Sequence, residues 1–271
     1  MRPDRGDPDS HDAGFLGLAL ACALLAADAA AQSFSADRPG ISNPPHVLKP
    51  GEAQLEGGLE LARETDGDAP NTRTLTAPGA TLRVGVLPFL EARALVDGLI
   101  VEMRDGSPDR TSASDFALGA RARLLDQSGV RPATALDFNL SLPTGSRAVS
   151  SDGVDPSGAF LFEWALPGRC TLDVNLGLGS LSLGAGSSRR AFQVAPSASL
   201  GVAIGERASA FVEYFATLSD RSLDDDHGVD AGFAWLAARN LQLDVSAGAG
   251  LSDAAPDYFV SVGAAWRFEW F

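Results

Sequence analysis

The sequence predicts an all-β protein, a transmembrane antiparallel up-and-down β-barrel of about 12 strands, within a range of about 10–14. Three observations support this fold class. Strand-like segments recur along the chain with apolar and polar side chains in alternation, which gives each strand one apolar face. The spacers between the segments alternate between short and long. The last segment carries aromatic residues at both ends, as expected where a strand meets the two membrane interfaces.

The last predicted strand, residues 258–268, shows this pattern most clearly. Its apolar face is formed by every second residue: Tyr258, Val260, Val262, Ala264, Trp266 and Phe268. The residues between them are small or polar, among them Ser261 and Arg267. Because lipid surrounds a membrane barrel, its outward side chains must be apolar along the whole strand. Trp266, Phe268 and Trp270 share the outward phase, and we predict that they form the assembly signal read by the barrel-assembly machinery.

Residues 1–31 have the features of a secretory signal peptide. Arg2 and Arg5 precede a mostly apolar run, residues 13–27. This run has the size of a signal h-region and is too short to span a bilayer. Ala29-Ala30-Ala31 then predicts cleavage before residue 32. We therefore expect export through the periplasm; a lipoprotein signal that uses Cys22 is the alternative.

Residues 32–50 are predicted to form an irregular N-terminal arm, and residues 51–271 the outer-membrane β-barrel. The arm is rich in Pro, Ser and Asn, a composition typical of irregular backbone. The strands predicted after it lie at 53–64, 74–86, 90–101, 114–125, 133–142, 158–166, 171–183, 190–203, 208–218, 228–237, 241–251 and 258–268. Strand 208–218 is ambiguous, because Phe211 shares a face with Glu213.

The spacers between the predicted strands differ in a regular way. Residues 87–89 and 238–240 are short connections, whereas residues 102–113 and 143–157 are longer and polar. Short turns on one side and long loops on the other are typical of outer-membrane barrels. No fixed-period sequence repeat is present, which argues against propellers and β-helices.

The composition limits the partners and cofactors of the chain. Its net charge is −14, with only 21 Lys and Arg residues. Nucleic-acid binding requires a basic surface, so nucleic acid is not expected as a partner. The chain has two cysteines. Because Cys22 lies in the predicted signal peptide, Cys170 alone remains, and neither an intrachain disulfide nor a cysteine metal site is expected. No cofactor or metal is predicted.

Several short pieces of sequence carry a family resemblance. In chain order they are Asp37-Arg38-Pro39, residues 51–58, Leu82-Arg83-Val84-Gly85, Glu91-Ala92-Arg93, Leu142-Pro143-Thr144-Gly145, residues 240–244 and residues 263–268. Together they resemble the outer-membrane transporter family of the "MetA-pathway of phenol degradation". The resemblance implies an outer-membrane barrel of about twelve strands and a role in the uptake of apolar or aromatic compounds. The chain departs from the family in its last residues, Glu269-Trp270-Phe271.

Charged residues on the inward faces are predicted to line the lumen. A basic sector is expected on neighbouring strands, formed by Arg83, Arg93, Arg121 and Arg123 with Glu91 among them. Acidic residues are expected across the lumen: Asp137, Glu163, Asp173, Glu213, Asp230 and Asp244. Opposed charges would create a transverse field that orients dipolar solutes. Two interpretations stay open, a selective channel and internal ion pairs that fill a narrow barrel.

A catalytic role is not predicted. The run Asp224-Asp225-Asp226-His227 falls in a long loop, where carboxylates could hold a divalent cation. Its spacing lacks the alternation of an EF-hand loop, which favours a solvated acidic loop. Only His46 and His227 follow the signal peptide, and no Ser lies in a nucleophile motif near either. A hydrolase that uses Asp226 and His227 is the least favoured alternative.

The preferred interpretation is a Gram-negative outer-membrane channel that passes small molecules, aromatic or hydrophobic ones among them. The rival interpretation is a closed structural or adhesive barrel whose loops bind partners. In either case the expected partners are outer-membrane lipid, lipopolysaccharide and the barrel-assembly machinery. The channel adds a small-molecule solute. The sequence leaves open whether residues 32–50 plug the lumen.

Overall fold

The computed structural model of the chain describes residues 34–65, 71–184, 189–220 and 223–269. The strands are β1 Glu52–Glu64, β2 Thr72–Leu87, β3 Leu90–Val96, β4 Leu99–Arg104, β5 Arg110–Ala113, β6 Phe116–Leu125, β7 Ala133–Leu142, β8 Asp155–Leu166, β9 Cys170–Ser182, β10 Arg190–Ile204, β11 Ala208–Ser219, β12 Asp226–Ala238, β13 Leu241–Gly250 and β14 Tyr258–Glu269. The predicted signal peptide and Trp270 lie outside the described residues. In the part of the chain that the structure describes, no helix is long and apolar enough to cross a membrane.

The strands form one closed antiparallel barrel. Strand β1 pairs with β2 on one side and with β14 on the other, so the sheet has no free edge at this seam. Strands β3 and β4 pair with successive parts of β2, and are separated only by Asp97-Gly98. Strands β5 and β6 continue one another in the same way across Ser114-Asp115. Counting each interrupted pair once gives twelve membrane-crossing strands, which confirms the predicted fold class.

The barrel is apolar outside and polar inside, the reverse of a soluble protein. On β7, Leu136 and Phe138 are exposed, whereas Asp137 between them is buried. On β14, Val260, Val262 and Trp266 are exposed in the same way. The outward side chains face lipid hydrocarbon, and the polar ones face the lumen. The alternation read from the sequence therefore assigned these faces correctly.

The connections also follow the predicted alternation. Residues 88–89 and 239–240 are short turns, whereas residues 143–154 and 251–257 form longer loops at the opposite end. Glu52 pairs with Glu269 where the barrel closes, so both ends of the barrel sequence lie on the short-turn side. The N-terminal arm consequently enters the lumen from that side.

Two details differ from the sequence-based expectation. Residues 102–113 were expected to form a loop, but β4 and β5 form a hairpin there. Where a hairpin projects beyond the membrane, both of its faces meet water, so no apolar face marks it as strand. The second detail is the strand whose faces were ambiguous in the sequence, residues 208–218. There Phe211 shares the inward face with the buried Glu213, and its ring lies against Gly40 of the arm. The arm thus provides an apolar contact that strand periodicity alone does not reveal.

Candidate functional site: the lumen and its N-terminal arm

The described part of the arm, residues 34–50, lies inside the lumen. Phe34 and Leu48 are buried, and Phe34 lies under the guanidinium group of Arg267 on β14, 4.6 Å from it. Irregular backbone at membrane depth is tolerated where protein surrounds it. The arm meets this condition because the barrel wall supplies partners for its backbone groups. It therefore fills the part of the lumen next to the short turns.

Carboxylates of the wall accept hydrogen bonds from the arm backbone. Glu56 of β1 accepts from the N–H groups of Asp37 and Arg38, at 2.9 and 3.2 Å. Glu213 of β11 accepts from the N–H group of Ile41 at 2.8 Å. These bonds replace the strand pairing that the arm lacks, and buried backbone donors require such partners. The arm is thus held at defined positions by side chains from separate parts of the wall, on β1 and β11.

Asp37 is the main anchor of the arm on the basic side of the lumen. Its carboxylate accepts hydrogen bonds from Arg121 at 2.8 and 3.1 Å and from Arg83 at 3.3 Å, and it also contacts Arg93. Burial alone would raise the pKa of Asp37, but the guanidinium groups of Arg121, Arg83 and Arg93 hold it well below the usual range. Asp37 is therefore ionised at neutral pH, and its charge offsets the three cations around it.

The same arginines also pair with acidic residues of the wall. Arg83 lies 2.9 Å from Glu91 and 3.0 Å from Glu56. Arg121 pairs with Asp137 of the next strand at 2.6 and 2.8 Å, in a two-bond geometry. The Arg83 and Arg121 side chains are almost fully buried. A buried guanidinium group must be both paired and hydrogen-bonded, and Arg83 and Arg121 meet both requirements. We call Arg83, Arg93, Arg121 and Glu91 the basic cluster.

Arg38, the residue next to Asp37, binds the wall on the other side of β1, at β13 and β14. It donates to the carboxylate of Asp244 at 3.0 Å and to the hydroxyl of Ser261 at 2.8 Å. The consecutive pair Asp37-Arg38 therefore presents a negative charge to the basic cluster and a positive charge to an acidic wall. The arm thus places one charge of each sign against an opposite charge of the wall.

The remaining sequence-predicted lumen residues lie in several environments. Glu163 is 3.1 Å from the ring of His46 in the arm, and Asp173 is its cross-strand neighbour. Asp230 faces the same lumen and neighbours Glu213 across strands. Arg123 does not join the basic cluster. It is exposed at the short-turn end of β6 and pairs with Asp126 at 3.0 Å.

The structure also places the residues of the predicted assembly signal and of the hydrolase alternative. Trp266 and Phe268 of the predicted assembly signal lie near the short-turn end of β14, with ring centroids 4.7 Å apart. His227, the candidate of the hydrolase alternative, has its ring 3.3 Å from the hydroxyl of Tyr214. Asp226 begins strand β12 and its side chain lines a cavity in the lumen. Among the described residues no group of His, Cys, Asp and Glu is placed to hold a metal ion.

Sequence reasoning missed several residues that hold the arm. Asn175 of β9 accepts from the backbone N–H of Asn43 at 2.6 Å and donates back to its carbonyl at 3.0 Å. Glu56 is 1% exposed and was not singled out, although it lies on the inward face of β1. The usable signal was the piece Asp37-Arg38-Pro39, because its adjacent opposite charges are the only Asp, Glu, Lys or Arg residues in the sequence between residues 32 and 48.

Gly85 lies where the arm passes closest to β2. A Cβ atom at this position would overlap the carbonyl oxygen of Lys49 and lie 2.7 Å from that of Leu48. Gly85→Ala is therefore expected to loosen this end of the arm, because backbone atoms cannot move aside as a flexible side chain can. The measurement is the rate at which proteinase K removes the arm from the folded protein in detergent. Gly79→Ala is the control, since a Cβ there meets nothing within 4 Å; equal rates would contradict the expectation.

A cavity lies between the arm and the long loops. Its volume is about 180 Å³, and it is lined by Pro39, Ile41, Glu60, Phe215, Asp226, Asp230, Ser246, Gly250, Ala255, Pro256 and Phe259. We call it the upper cavity. A second cavity of about 350 Å³ adjoins β1 and β2 and shares Glu60 with the first. The lumen thus keeps free volume on the long-loop side of the arm.

The closed barrel with a polar, arm-filled lumen defines a protein of the outer-membrane β-barrel class. A family model described as "Putative MetA-pathway of phenol degradation" matches residues 36–268, so the chain belongs to this family. The match confirms the resemblance seen in the sequence.

Solved structures show the same fold. The COG4313 outer membrane channel from Pseudomonas putida F1 has 13% identity and a TM-score of 0.64, with 85% of this chain and 99% of that chain covered. The NanC porin has 8% identity and a TM-score of 0.50, with 80% of this chain and 100% of that chain covered. At these identities the likeness establishes the fold alone. A comparison with curated proteins finds no match.

Proposed function

We propose that the protein is an outer-membrane channel for passive passage of small molecules, aromatic and hydrophobic compounds among them. The arm controls this passage because it occupies the lumen next to the short turns. Export by a signal peptide in residues 1–31, assembly through Trp266, Phe268 and Trp270, and contact of the loops with lipopolysaccharide belong to the same proposal. The similar structures support it, since they are an outer-membrane channel and a porin.

The observation that carries the proposal is how the arm is held. Its contacts are side-chain hydrogen bonds and ion pairs, such as Asp37 with Arg121 and Arg38 with Asp244. In the described part of the chain the arm forms no strand ladder with the wall. Such contacts break and reform with water as the alternative partner, whereas the wall ladders need not change. The arm can therefore leave the lumen without unfolding the barrel.

A closed structural barrel is the second candidate, and one observation favours it. Arg83 and Arg121 are 0% exposed, so protein surrounds both side chains on all sides. A barrel whose interior is packed by ion pairs needs no solute to explain its charges. The two candidates differ in whether the arm ever leaves.

Single-channel conductance of the refolded protein in a planar bilayer distinguishes these candidates. Discrete current steps are expected for the channel. A barrel that is demonstrably folded, by its shifted mobility on unheated gels, and that never conducts would instead support the closed structural protein.

Arg123 offers a test of the route that ions take. Arg123→Glu reverses a charge at the short-turn mouth, and is expected to shift the reversal potential in a salt gradient towards cation selectivity. The fold should tolerate it, because Arg123 is exposed and its partners among the described residues are Asp126 and the carbonyl group of Pro88. Arg110→Glu makes the same charge change on the distant β4–β5 hairpin, where Arg110 is also exposed. If the two variants shifted selectivity equally, Arg123 would not line the route.

A further inference from the structure

The upper cavity combines an aromatic wall with carboxylates that the arm does not use. We propose that it is a binding site for a small aromatic amine, meaning a single ring that carries a positively charged ammonium group on a short linker. The inference rests on the proposed function, and names the class of solute that the lumen would select.

The aromatic wall is formed by Phe215 of β11 and Phe259 of β14. Their ring centroids are 6.2 Å apart and the rings are inclined at 58°. Both side chains line the upper cavity, whereas the inward faces of outer-membrane barrels are normally polar. Ile41 and Pro39 of the arm add apolar surface on the side next to the arm. The cavity thus has one face against which a ring can pack.

The acidic side of the cavity is formed by Asp230, Asp226 and Glu60. Asp230 is only 4% exposed, and neither of its carboxylate oxygens has a hydrogen-bond partner among the described residues. One carboxylate oxygen of Asp226 also lacks a hydrogen-bond partner among the described residues. A buried carboxylate without a partner is costly. A donor that enters this cavity would therefore be bound strongly.

Several other lumen carboxylates already have partners. Glu213 receives hydrogen bonds from the arm backbone, and Asp244 pairs with Arg38. Glu91 and Asp137 belong to the ion pairs around the basic cluster. Asp230 is therefore available to a ligand in a way that most of its inward neighbours are not.

The negative charge of the cavity lining favours a positively charged ligand. No Lys, Arg or His is among the described residues that line it, and three carboxylates are. A carboxylate ligand such as benzoate would add like charge in a confined space, which is unfavourable. An ammonium group offers three donors and a compensating charge. The aromatic ring of the ligand would pack against Phe215 and Phe259 by dispersion. Its ammonium group would gain cation–π attraction from the faces of the same two rings.

The volume of the cavity limits the ligand to one ring. A cavity of about 150 Å³ in another protein holds a benzene molecule. The upper cavity, at about 180 Å³, leaves room for a ring and one or two further atoms. Benzylamine is therefore a suitable probe, with benzyl alcohol and benzoate as probes of the same ring with neutral and negative charge.

The test is isothermal titration of each probe into the refolded mature chain, residues 32–271, in detergent at pH 7. Benzylamine is expected to bind most tightly and benzoate not at all. Asp230→Asn should weaken benzylamine by about tenfold or more, the effect of losing a hydrogen bond between charged groups. Asp253→Asn, an exposed carboxylate in the β13–β14 loop, is the matched control and should bind as the parent does. Phe259→Leu is expected to weaken benzylamine and to leave the binding of butylamine, which has no ring, unchanged.

Several outcomes would overturn the inference. These are equal affinity for benzoate and benzylamine, or unchanged benzylamine affinity in Asp230→Asn after its fold is verified by gel mobility. A folded barrel that conducts ions but binds no benzylamine would refute this site and leave the proposed channel intact. A barrel that binds benzylamine with the expected variant effects but never conducts would refute the channel and keep the site.

Discussion

Replacing Asp37 by Asn is expected to release the arm from the lumen and to raise single-channel conductance several-fold. The substitution keeps the shape of the side chain and removes its charge. Arg83, Arg93 and Arg121 would then face one another with one fewer buried counter-charge. Removing one partner of a buried ion pair costs about 3–5 kcal/mol, and this cost weakens the bound position of the arm relative to the released one.

The control for this experiment is Asp155→Asn. Asp155 is also buried and pairs with Arg190 at 2.7 Å, but both residues belong to β8 and β10 near the long loops. The same chemical change there breaks an ion pair without touching the arm. If Asp37→Asn and Asp155→Asn conducted alike, with folded barrels in both cases, the arm would not control the lumen. Faster removal of the arm by proteinase K in Asp37→Asn should accompany the higher conductance.

Replacing Arg121 by Met is expected to lower the free energy of unfolding of the barrel by about 3–5 kcal/mol. Arg121 is fully buried and holds Asp137 through two hydrogen bonds. Without it, Asp137 becomes an uncompensated buried charge, and the arm loses one partner of Asp37. The measurement is unfolding in urea, followed by tryptophan fluorescence and by gel mobility.

The double variant Arg121→Met with Asp137→Leu separates the pair from its surroundings. Apolar groups of similar volume often replace a buried ion pair without loss, so the double variant should recover much of the stability. Arg123→Met is the control, because Arg123 is an exposed neighbour on the same face and its pairing with Asp126 is worth at most about 1 kcal/mol. A double variant no more stable than Arg121→Met would show that Asp137 is not the group that Arg121 compensates.

The wall of this barrel could be predicted from the sequence because lipid imposes a strict rule on every outward side chain. Leu136, Asp137 and Phe138 alternate in the sequence and in the structure for that reason. The lumen obeys no such rule. Asp137 was expected across the barrel from the basic residues, yet it lies beside Arg121 because β6 and β7 are neighbours in this register.

The path of the arm could not be read from periodicity. Its contacts join residues far apart in the chain, such as Arg38 with Asp244, across irregular backbone. Only the opposite charges of Asp37 and Arg38 hinted that the arm had two binding partners. The strands therefore followed from local pattern, whereas the upper cavity and the arm depend on where the closed barrel brings distant side chains together.

The contacts of Arg38 have a consequence for the order of events during assembly. Its backbone N–H group binds Glu56 on β1, the first strand, while its side chain binds Ser261 on β14, the last strand. These two strands meet only at the seam where the barrel closes. The complete binding site for Arg38 therefore does not exist until the final strand pairing has formed. Docking of the arm therefore marks the completed barrel, and the control of passage that we propose for the arm can begin only after the last strand has paired.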